Sequence, residues 1–195
     1  MSMRITTDRT VIRAFMEKDA SGLLEYQSNP RTNCFKGDCL DSITEALAYM
    51  ERGPKEMLRY AVCLKEDDRI IGEVFALPEK GDTYSVGWHF NQRFEGQGYA
   101  REAATAFFEY LFEEVGARRI YGYVEEDNAR SQRLCERLGM RMEGCFREFV
   151  SFVSNPDGTP RYEDTRVYAI LSREWELQLR TVKAPRYDEQ SDYYF

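Results

Sequence analysis

Arg93-Phe94-Glu95-Gly96-Gln97-Gly98-Tyr99-Ala100 places two glycines between a strand-like apolar run and a long helix-like one. Because glycine has no Cβ, the backbone at Gly96 and Gly98 can turn sharply and bring its N–H groups close to a ligand. The helix that follows points its unpaired N–H groups and the positive end of its dipole at the same place. The stretch therefore predicts a binding loop for an anionic group such as a pyrophosphate.

Two other nucleotide-binding loops are excluded by residue identity. A phosphate loop needs Lys followed by Ser or Thr after its last glycine, and this chain has neither there. The dinucleotide fingerprint needs a third glycine, where this chain has Arg101. ATP and NAD are thus poor matches to the loop.

Strand and helix patterns on both sides of the loop predict a mixed α/β domain. Ser42-Ile43-Thr44-Glu45 is a capping box and Gly53-Pro54 a stop signal, so a helix is expected between them. The apolar stripe of the helix after the loop is wide enough to pack on a sheet. The predicted strands are 10–15, 58–65, 69–77, 83–90, 119–125, 142–153 and 162–171, and the predicted helices are 18–28, 43–52, 98–115 and 129–138.

A second motif, Asn128-Ala129-Arg130-Ser131, follows the pattern Arg93-x-x-Gly96-x-Gly98 about thirty residues on. Together they resemble the GNAT acetyltransferases, most closely the RimJ/RimL-like branch. The resemblance runs from about residue 11 to about residue 175. Further landmarks appear in the expected order: Arg101-Glu102-Ala103, Glu136-Arg137-Leu138-Gly139-Met140, Glu143-Gly144-Cys145-Phe146-Arg147 and Glu174-Trp175.

The resemblance implies a GNAT-type fold, in which helices flank a central, mostly antiparallel sheet that splays near the strand ending at Phe90. It implies acetyl-CoA as cosubstrate, no metal, and direct transfer of acetyl to a primary amine without a covalent acyl-enzyme. The implied cofactor-binding residues are Phe90, Arg93, Glu95, Gly96, Gln97, Gly98, Tyr99, Ala100, Arg101, Asn128 and Ser131. A cluster of arginines falls in the same region and would suit the CoA phosphates: Arg93, Arg101, Arg118, Arg119, Arg130, Arg133 and Arg137.

Asn128 and Ser131 have the spacing of a helix N-cap, with the Asn128 side chain accepting from the Ser131 N–H. The cap does not exclude a chemical role. Helical spacing puts the Ser131 hydroxyl on the buried stripe, where it needs a partner. In the family the matching serine reaches the CoA sulfur, so Ser131 is predicted to assist departure of the thiolate.

The reaction also needs a base, because an α-amine has a pKa of about 8 and a lysine amine one of about 10. Glu148 is the leading candidate, since the family uses its strand to line the acceptor side. Glu73, in an otherwise apolar strand, and His89, the only histidine, stay as alternatives. A relay of ordered waters is also open, and Glu102 is predicted to stabilise the start of its helix.

The length predicts a single domain, and because the resemblance ends near Trp175 the domain is expected over 1–175 and a tail over 176–195. The 195 residues carry a formal net charge of −7, which argues against a nucleic-acid partner and favours cationic acceptors. Apolar runs are short, so neither a signal peptide nor a membrane span is expected, and a cytoplasmic location is predicted. Five cysteines without a CxxC pair predict buried free thiols.

Three questions stay open at this level. The acceptor is a protein N-terminal α-amine or, alternatively, a small-molecule amine such as a polyamine, an amino acid or an antibiotic. A non-catalytic acyl-CoA-binding module is a third reading. The tail, with Tyr187, Tyr193, Tyr194 and Phe195, is either disordered or docked on the protein or on a second subunit, and a homodimer is one arrangement that would fit.

Overall fold

The computed structural model describes residues 3–183, and of 180–183 only the backbone. Its strands are β1 Arg4–Thr6, β2 Thr10–Arg13, β3 Leu58–Leu64, β4 Ile70–Glu79, β5 Thr83–Phe90, β6 Arg119–Glu125, β7 Arg141–Ser154 and β8 Pro160–Leu171. These strands form one sheet in the order β1-β2-β3-β4-β5-β6-β8-β7. All neighbouring strands are antiparallel except β5 and β6, which are parallel.

Five α-helices connect and cover these strands in the described part of the chain. They are α1 Ala20–Gln27, α2 Ile43–Met50, α3 Tyr99–Glu113, α4 Ala129–Arg137 and α5 Ser172–Lys183. Short 3-10 turns add Glu17–Asp19, Asn33–Asp38 and Gln92–Phe94. The N-cap of α2 is as predicted, because Ser42 Oγ accepts from the Glu45 N–H at 3.2 Å.

The main core lies between α3 and the sheet. Phe107, Phe108 and Leu111 on α3 are almost fully buried, as are Ile71 and Ile120 on the strands they cover. This is the apolar stripe that the sequence predicts. Its burial holds the N-terminal end of α3, and with it the glycine loop, at a fixed place on the sheet.

The sheet opens between β5 and β6. Only three residue pairs join them, Thr83 to Ser85 with Arg119 to Tyr121, and beyond that point the strands diverge. Val86–Phe90 and Gly122–Glu125 therefore border a gap rather than a hydrogen-bonded ladder. The predicted splay near the strand that ends at Phe90 is confirmed.

Several elements differ from the sequence prediction. The strand Arg4–Thr6, the 3-10 turn Asn33–Asp38 and α5 were not predicted. Because α5 extends to Lys183, the first eight residues of the tail segment are helical. Its four aromatic residues lie outside the described residues, and the domain boundary at 175 stays a prediction.

The five cysteines are all free, as predicted, although they are not all buried. Cys63 and Cys135 are buried, whereas Cys39 is exposed. Cys39 follows the 3-10 turn Asn33–Asp38, so the burial predicted for it is absent. None of the helices in residues 3–183 is long and apolar enough to cross a membrane.

Candidate active site

Two cavities open from the gap between β5 and β6. The first has a volume of about 560 Å³ and runs from Trp88 and Phe90 on β5 to the glycine loop and α4. The second has a volume of about 330 Å³ and lies between β5, β6 and the middle of β7. Four residues line both cavities and so mark where they meet: Phe35, Trp88, Asn128 and Ser131.

The glycine loop forms one end of the first cavity. Gly96 has a φ of +75° and Gly98 a φ of +84°, a left-handed backbone conformation that side chains with a Cβ rarely adopt. Gly98 is the N-cap of α3, and the first bond inside the helix runs from the Glu102 N–H to the Gly98 carbonyl at 3.0 Å. The N–H groups of Tyr99 to Arg101 therefore have no acceptor within the helix and suit an anionic ligand.

Arginines supply the positive charge of the first cavity. Arg101, Arg130, Arg133 and Arg137 line it, and so does Arg31 from the segment after α1. Phe90, Phe94, Tyr99 and Leu134 add an apolar part. Anion-binding amides and guanidinium groups at one end, with a narrow apolar gap beyond, fit a phosphate-bearing cofactor with a slender chain such as acetyl-CoA.

Nine of the eleven predicted cofactor-binding residues line the first cavity, and two do not. The Arg93 guanidinium forms an exposed ion pair with Glu25 on α1. The Gln97 carbonyl oxygen accepts a hydrogen bond from Arg9 Nη1 at 2.9 Å. Of the predicted phosphate partners, Arg118 and Arg119 also lie elsewhere: Arg118 donates to the Gly81 carbonyl, and Arg119 pairs with Glu143.

Glu95 carries a negative charge in the lining of the first cavity. Its carboxylate pairs with Arg31 Nη1 at 2.8 Å and with Arg130 Nε at 3.4 Å. These contacts link the loop to α4 and to the segment after α1. Glu102, in contrast, accepts from the Thr7 hydroxyl at 2.6 Å and the Arg9 N–H at 2.7 Å, which fixes the start of α3 to the β1–β2 turn.

Ser131 lies at the junction of the two cavities. Asn128 Oδ1 accepts from the Ser131 N–H at 3.1 Å, so the predicted N-cap of α4 is present. Ser131 Oγ accepts a hydrogen bond from Trp88 Nε1 at 3.3 Å. Because an indole N–H can only donate, this bond leaves the proton of the Ser131 hydroxyl free for a second acceptor.

The second cavity has mostly aromatic and aliphatic walls. Phe75, Tyr123, Phe149 and Phe152 line it together with Val150. Its polar lining includes Glu125 at the end of β6 and Thr165 on β8. It meets the first cavity at Ser131, so a molecule bound in it would reach the same point as a ligand of the first cavity.

Glu148 lies away from both cavities. It is exposed on an irregular stretch of β7 between Phe146 and Val150, with a φ of +46°, and its N–H donates to Asp164 Oδ1 at 2.7 Å. It lines neither cavity. The structure therefore does not bring Glu148 together with Ser131.

The two alternative bases occupy a buried layer below α1 and α2. Glu73 Oε2 pairs with Arg59 Nη2 at 2.6 Å, and Glu73 Oε1 accepts from the Tyr49 hydroxyl at 3.1 Å. Burial raises the pKa of Glu73, although the Arg59 charge opposes the rise. This ion pair, and not a cleft, accommodates a carboxylate in an apolar strand, and Glu73 lines neither cavity.

His89 lines the first cavity with its ring packed against aromatic neighbours. The ring is stacked on Phe35 with centroids 4.1 Å apart and meets Tyr26 edge-on at 4.9 Å. Burial, together with the charge of Arg59, lowers the pKa of His89 to about 4. The imidazole is therefore neutral near pH 7, where it is a weak base.

Sequence reasoning missed Trp88, Phe35 and Glu125. A tryptophan two residues before the end of β5 carried a usable signal, because alternation in that strand places it beside Phe90. Glu125 gave a weaker one, since a carboxylate that ends a strand usually faces solvent. Among residues 3–183 no group of three or more His, Cys, Asp or Glu is arranged to hold a metal ion.

Comparisons with known proteins agree with this geometry. The family model for the acetyltransferase (GNAT) domain matches residues 9–141. The uncharacterized N-acetyltransferase YnaD of Bacillus subtilis is 33% identical over 175 residues, which cover 89% of this chain and 99% of the relative. The ribosomal protein uS5 alanine N-acetyltransferase of Escherichia coli is 23% identical over 89% of this chain and 93% of its own length.

Solved structures show the same fold. The crystal structure of a GNAT-family acetyltransferase from Bacillus anthracis superposes with a TM-score of 0.75 at 29% identity. The match covers 88% of this chain and 99% of that chain.

Proposed function

This chain belongs to the GNAT acetyltransferase family and is an acetyl-CoA-dependent N-acetyltransferase, and we propose that it holds acetyl-CoA in the first cavity and admits the acceptor amine through the second. The observation that carries the proposal is the meeting of the two cavities at Ser131 and Trp88. Acetyl-CoA supplies an acetyl group activated as a thioester. A neutral amine arriving from the other side is positioned to attack it directly.

The residues proposed to hold acetyl-CoA are those of the first cavity. The amides after Gly98 and the side chains of Arg101, Arg130, Arg133 and Arg137 would bind its phosphates. Phe90 and Leu134 would border the narrow chain. The Ser131 hydroxyl, kept in place by the Trp88 indole, would donate to the sulfur as negative charge develops there.

For the acceptor we propose a protein N-terminal α-amine. The support is the relative from Escherichia coli, whose name gives the alanine of ribosomal protein uS5 as its substrate. The second cavity lies against the exposed face of β7, so a chain terminus can approach it. Its volume of about 330 Å³ with aromatic walls also favours a second candidate, a small apolar amine.

A comparison of acceptor panels distinguishes the two classes of acceptor. A panel of peptides that begin with Ala, Ser or Met and a panel of small amines are assayed for CoA release, and kcat/KM is compared. The proposal predicts that at least one peptide exceeds every small amine. Acetylation of small amines with no peptide turnover would assign the chain to small-molecule acetylation.

A cytoplasmic site of action and a homodimer are further proposals. Free cysteines suit a reducing compartment, in which disulfides do not persist. Phe146, exposed on β7 and part of neither cavity, offers an apolar contact to a second subunit. Light scattering of the purified protein tests the dimer.

A further inference from the structure

One end of the second cavity is polar, although its walls are apolar. Glu125 on β6 and Thr165 on β8 are direct partners in the sheet, and both line the cavity. Their exposed fractions are 7% and 3%. Thr165 Oγ1 is buried and has no hydrogen-bond partner in the described chain. A buried hydroxyl without a partner next to a buried carboxylate is unexpected unless a polar ligand completes the pair.

Glu125 is only partly satisfied by its neighbours. Its Oε1 accepts from the Cys34 N–H at 2.8 Å. Among the ion pairs of the described chain none involves Glu125, whereas its neighbours Glu126 and Glu163 are both paired with arginines. A buried carboxylate without a cation is costly, and a cationic ligand in the cavity would offset that cost.

The groups around Glu125 strengthen its basicity. Burial raises the pKa of Glu125, and the negative charges of Glu163 on β8 and Asp127 before α4 act in the same direction. The Cys34 N–H and the Cys34 thiol, which both hydrogen-bond to the carboxylate, oppose this rise. The Cys34 thiol, whose own pKa is raised to about 12 by burial, stays protonated and adds no charge near neutral pH.

We infer that Glu125, with Thr165 beside it, binds the acceptor as an ammonium ion and removes its proton, and that the preferred acceptor carries an apolar or aromatic group against Phe75, Phe149 and Phe152. The inference rests on the proposed function for the second substrate of the reaction. It assigns to Glu125 the role that the sequence suggested for Glu148.

The proton transfer balances as follows. The ammonium gives one proton to the Glu125 carboxylate and becomes a neutral amine. Its lone pair forms the new N–C bond at the thioester carbonyl, the C–S bond breaks, and its electron pair goes to sulfur. The second proton of the nitrogen neutralises the thiolate, and Glu125 returns its proton to solvent.

Glu125→Gln is the sharpest variant, because the amide keeps an oxygen for the Cys34 N–H while it removes the charge. Glu126→Gln is the matched control, since it removes the charge of the adjacent carboxylate, which pairs with Arg147 and Arg166 and lines neither cavity. Thr165→Val replaces the unpartnered hydroxyl by a methyl group of the same shape. Acetyl-CoA affinity should equal that of the parent in each variant, and the melting temperature is measured to show that each variant is folded.

Calorimetric binding of 2-phenylethylamine and of the uncharged 2-phenylethanol tests the site without turnover. The parent should bind the amine at least about tenfold more tightly than the alcohol, corresponding to roughly 1.4 kcal/mol. Glu125→Gln should abolish this preference, Thr165→Val should reduce it, and Glu126→Gln should keep it. Equal affinity of the parent for the two ligands, or an unchanged preference in Glu125→Gln, overturns the inference.

Turnover with 2-phenylethylamine separates this inference from the proposed function. Glu125→Gln should lower kcat/KM about a hundredfold and shift the rise of kcat/KM with pH upward, to the range in which the free amine loses its own proton. Parental turnover in Glu125→Gln overturns the inference and leaves the proposed function intact. Amine binding that depends on Glu125 without acetyl transfer to any amine supports the ammonium site and contradicts the proposed function.

Discussion

At the scale of single residues, Ser131 lies where the two cavities meet, and its hydroxyl is the group that we propose to serve the reaction there. The indole of Trp88 occupies one acceptor position of this oxygen, and the helix-capping bond of Asn128 fixes the backbone on which it sits. The hydroxyl proton is left to donate. A donor of this kind matters most when charge develops on sulfur, which is why its loss should show in the chemical step.

Ser131→Ala should lower kcat on the order of a hundredfold, about 3 kcal/mol, and leave the Kd of acetyl-CoA nearly unchanged. Ser151→Ala is the control, because Ser151 lies on β7 outside both cavities and its hydroxyl bonds to the Val153 carbonyl. A Ser131→Ala enzyme with parental kcat would limit Ser131 to its place in the helix cap.

The neutral state of His89 predicts how stability depends on pH. In the unfolded chain His89 titrates near 6.5, whereas burial lowers its pKa to about 4 in the folded protein. Between these two pH values His89 is protonated in the unfolded chain but neutral in the folded protein. The free energy of unfolding therefore falls as the pH falls. Below the lower value both states are protonated, and the effect is complete.

The measurement is the difference in unfolding free energy between the parent and His89→Gln from pH 7 to pH 4. Relative to the variant, the parent should lose roughly 3 kcal/mol across that interval. Subtraction removes the titration of the carboxylates, which the two proteins share. Parallel curves would show that His89 titrates alike in the folded and unfolded chains.

Residue types and spacing were enough to predict the helix cap and Ser131, but not the residues that contact Ser131 from other elements. Asn128 and Ser131 are three residues apart, so a local rule relates them. Trp88 and Ser131 are 43 residues apart and meet only because β5 and α4 border the same gap. Glu148 was assigned from its strand, and the irregular pairing of β7 there, which no local pattern encodes, carries it away from the cavity.

At the scale of elements, the gap between β5 and β6 and the start of α3 define the first cavity. Parallel pairing limited to three residues leaves the rest of each strand free to line the cavities. The left-handed backbone at Gly98 then turns the chain into α3. At Gly96 and Gly98 the lining of the first cavity is backbone, not packed side chains. A side chain added at Gly98 should therefore weaken ligand binding more than it lowers the stability of the fold.

Gly98→Val and Gly158→Val form a matched pair that tests this. The two glycines have φ values of +84° and +86°, so the backbone strain is alike, on the order of 2 kcal/mol. Gly98 lines the first cavity, whereas Gly158 lies in the β7–β8 turn outside it. Only Gly98→Val should weaken acetyl-CoA binding by calorimetry. Equal affinity of the two variants would remove the loop from the binding site.

Most strands and helices could be predicted because their signals are local. Strands β5 and β6 match their predicted ranges, and α3 and α4 end within two residues of theirs. The turn Asn33–Asp38 could not be predicted, since its sequence has no periodicity. Distant contacts hold it: the Cys34 N–H bonds to Glu125, and Asn33 Nδ2 donates to Glu163 Oε1 at 2.5 Å.

At the scale of the whole molecule, one sheet borders two cavities that meet at Ser131, and we propose that they bind the cofactor and the acceptor. The proposed cofactor side includes a loop and a helix that follow each other in sequence, so a local sequence motif was enough to predict it. The acceptor side combines the turn after α1 with β6, β7 and β8. Its composition depends on the complete fold, so the sequence alone left the acceptor open.

The stoichiometry of acetyl transfer is the most direct test of transfer between the two cavities without an acetylated enzyme. The enzyme is mixed with acetyl-CoA and an acceptor peptide, released CoA is titrated, and the masses of peptide and enzyme are recorded. Direct transfer predicts one acetyl group on the peptide amine for each CoA released, and no acetylated enzyme before the acceptor is added. Ser131→Ala should lower the amounts of CoA and of acetylated peptide equally. CoA release without an acetylated amine, or an acetyl group that first accumulates on the enzyme, would contradict direct transfer between the two cavities.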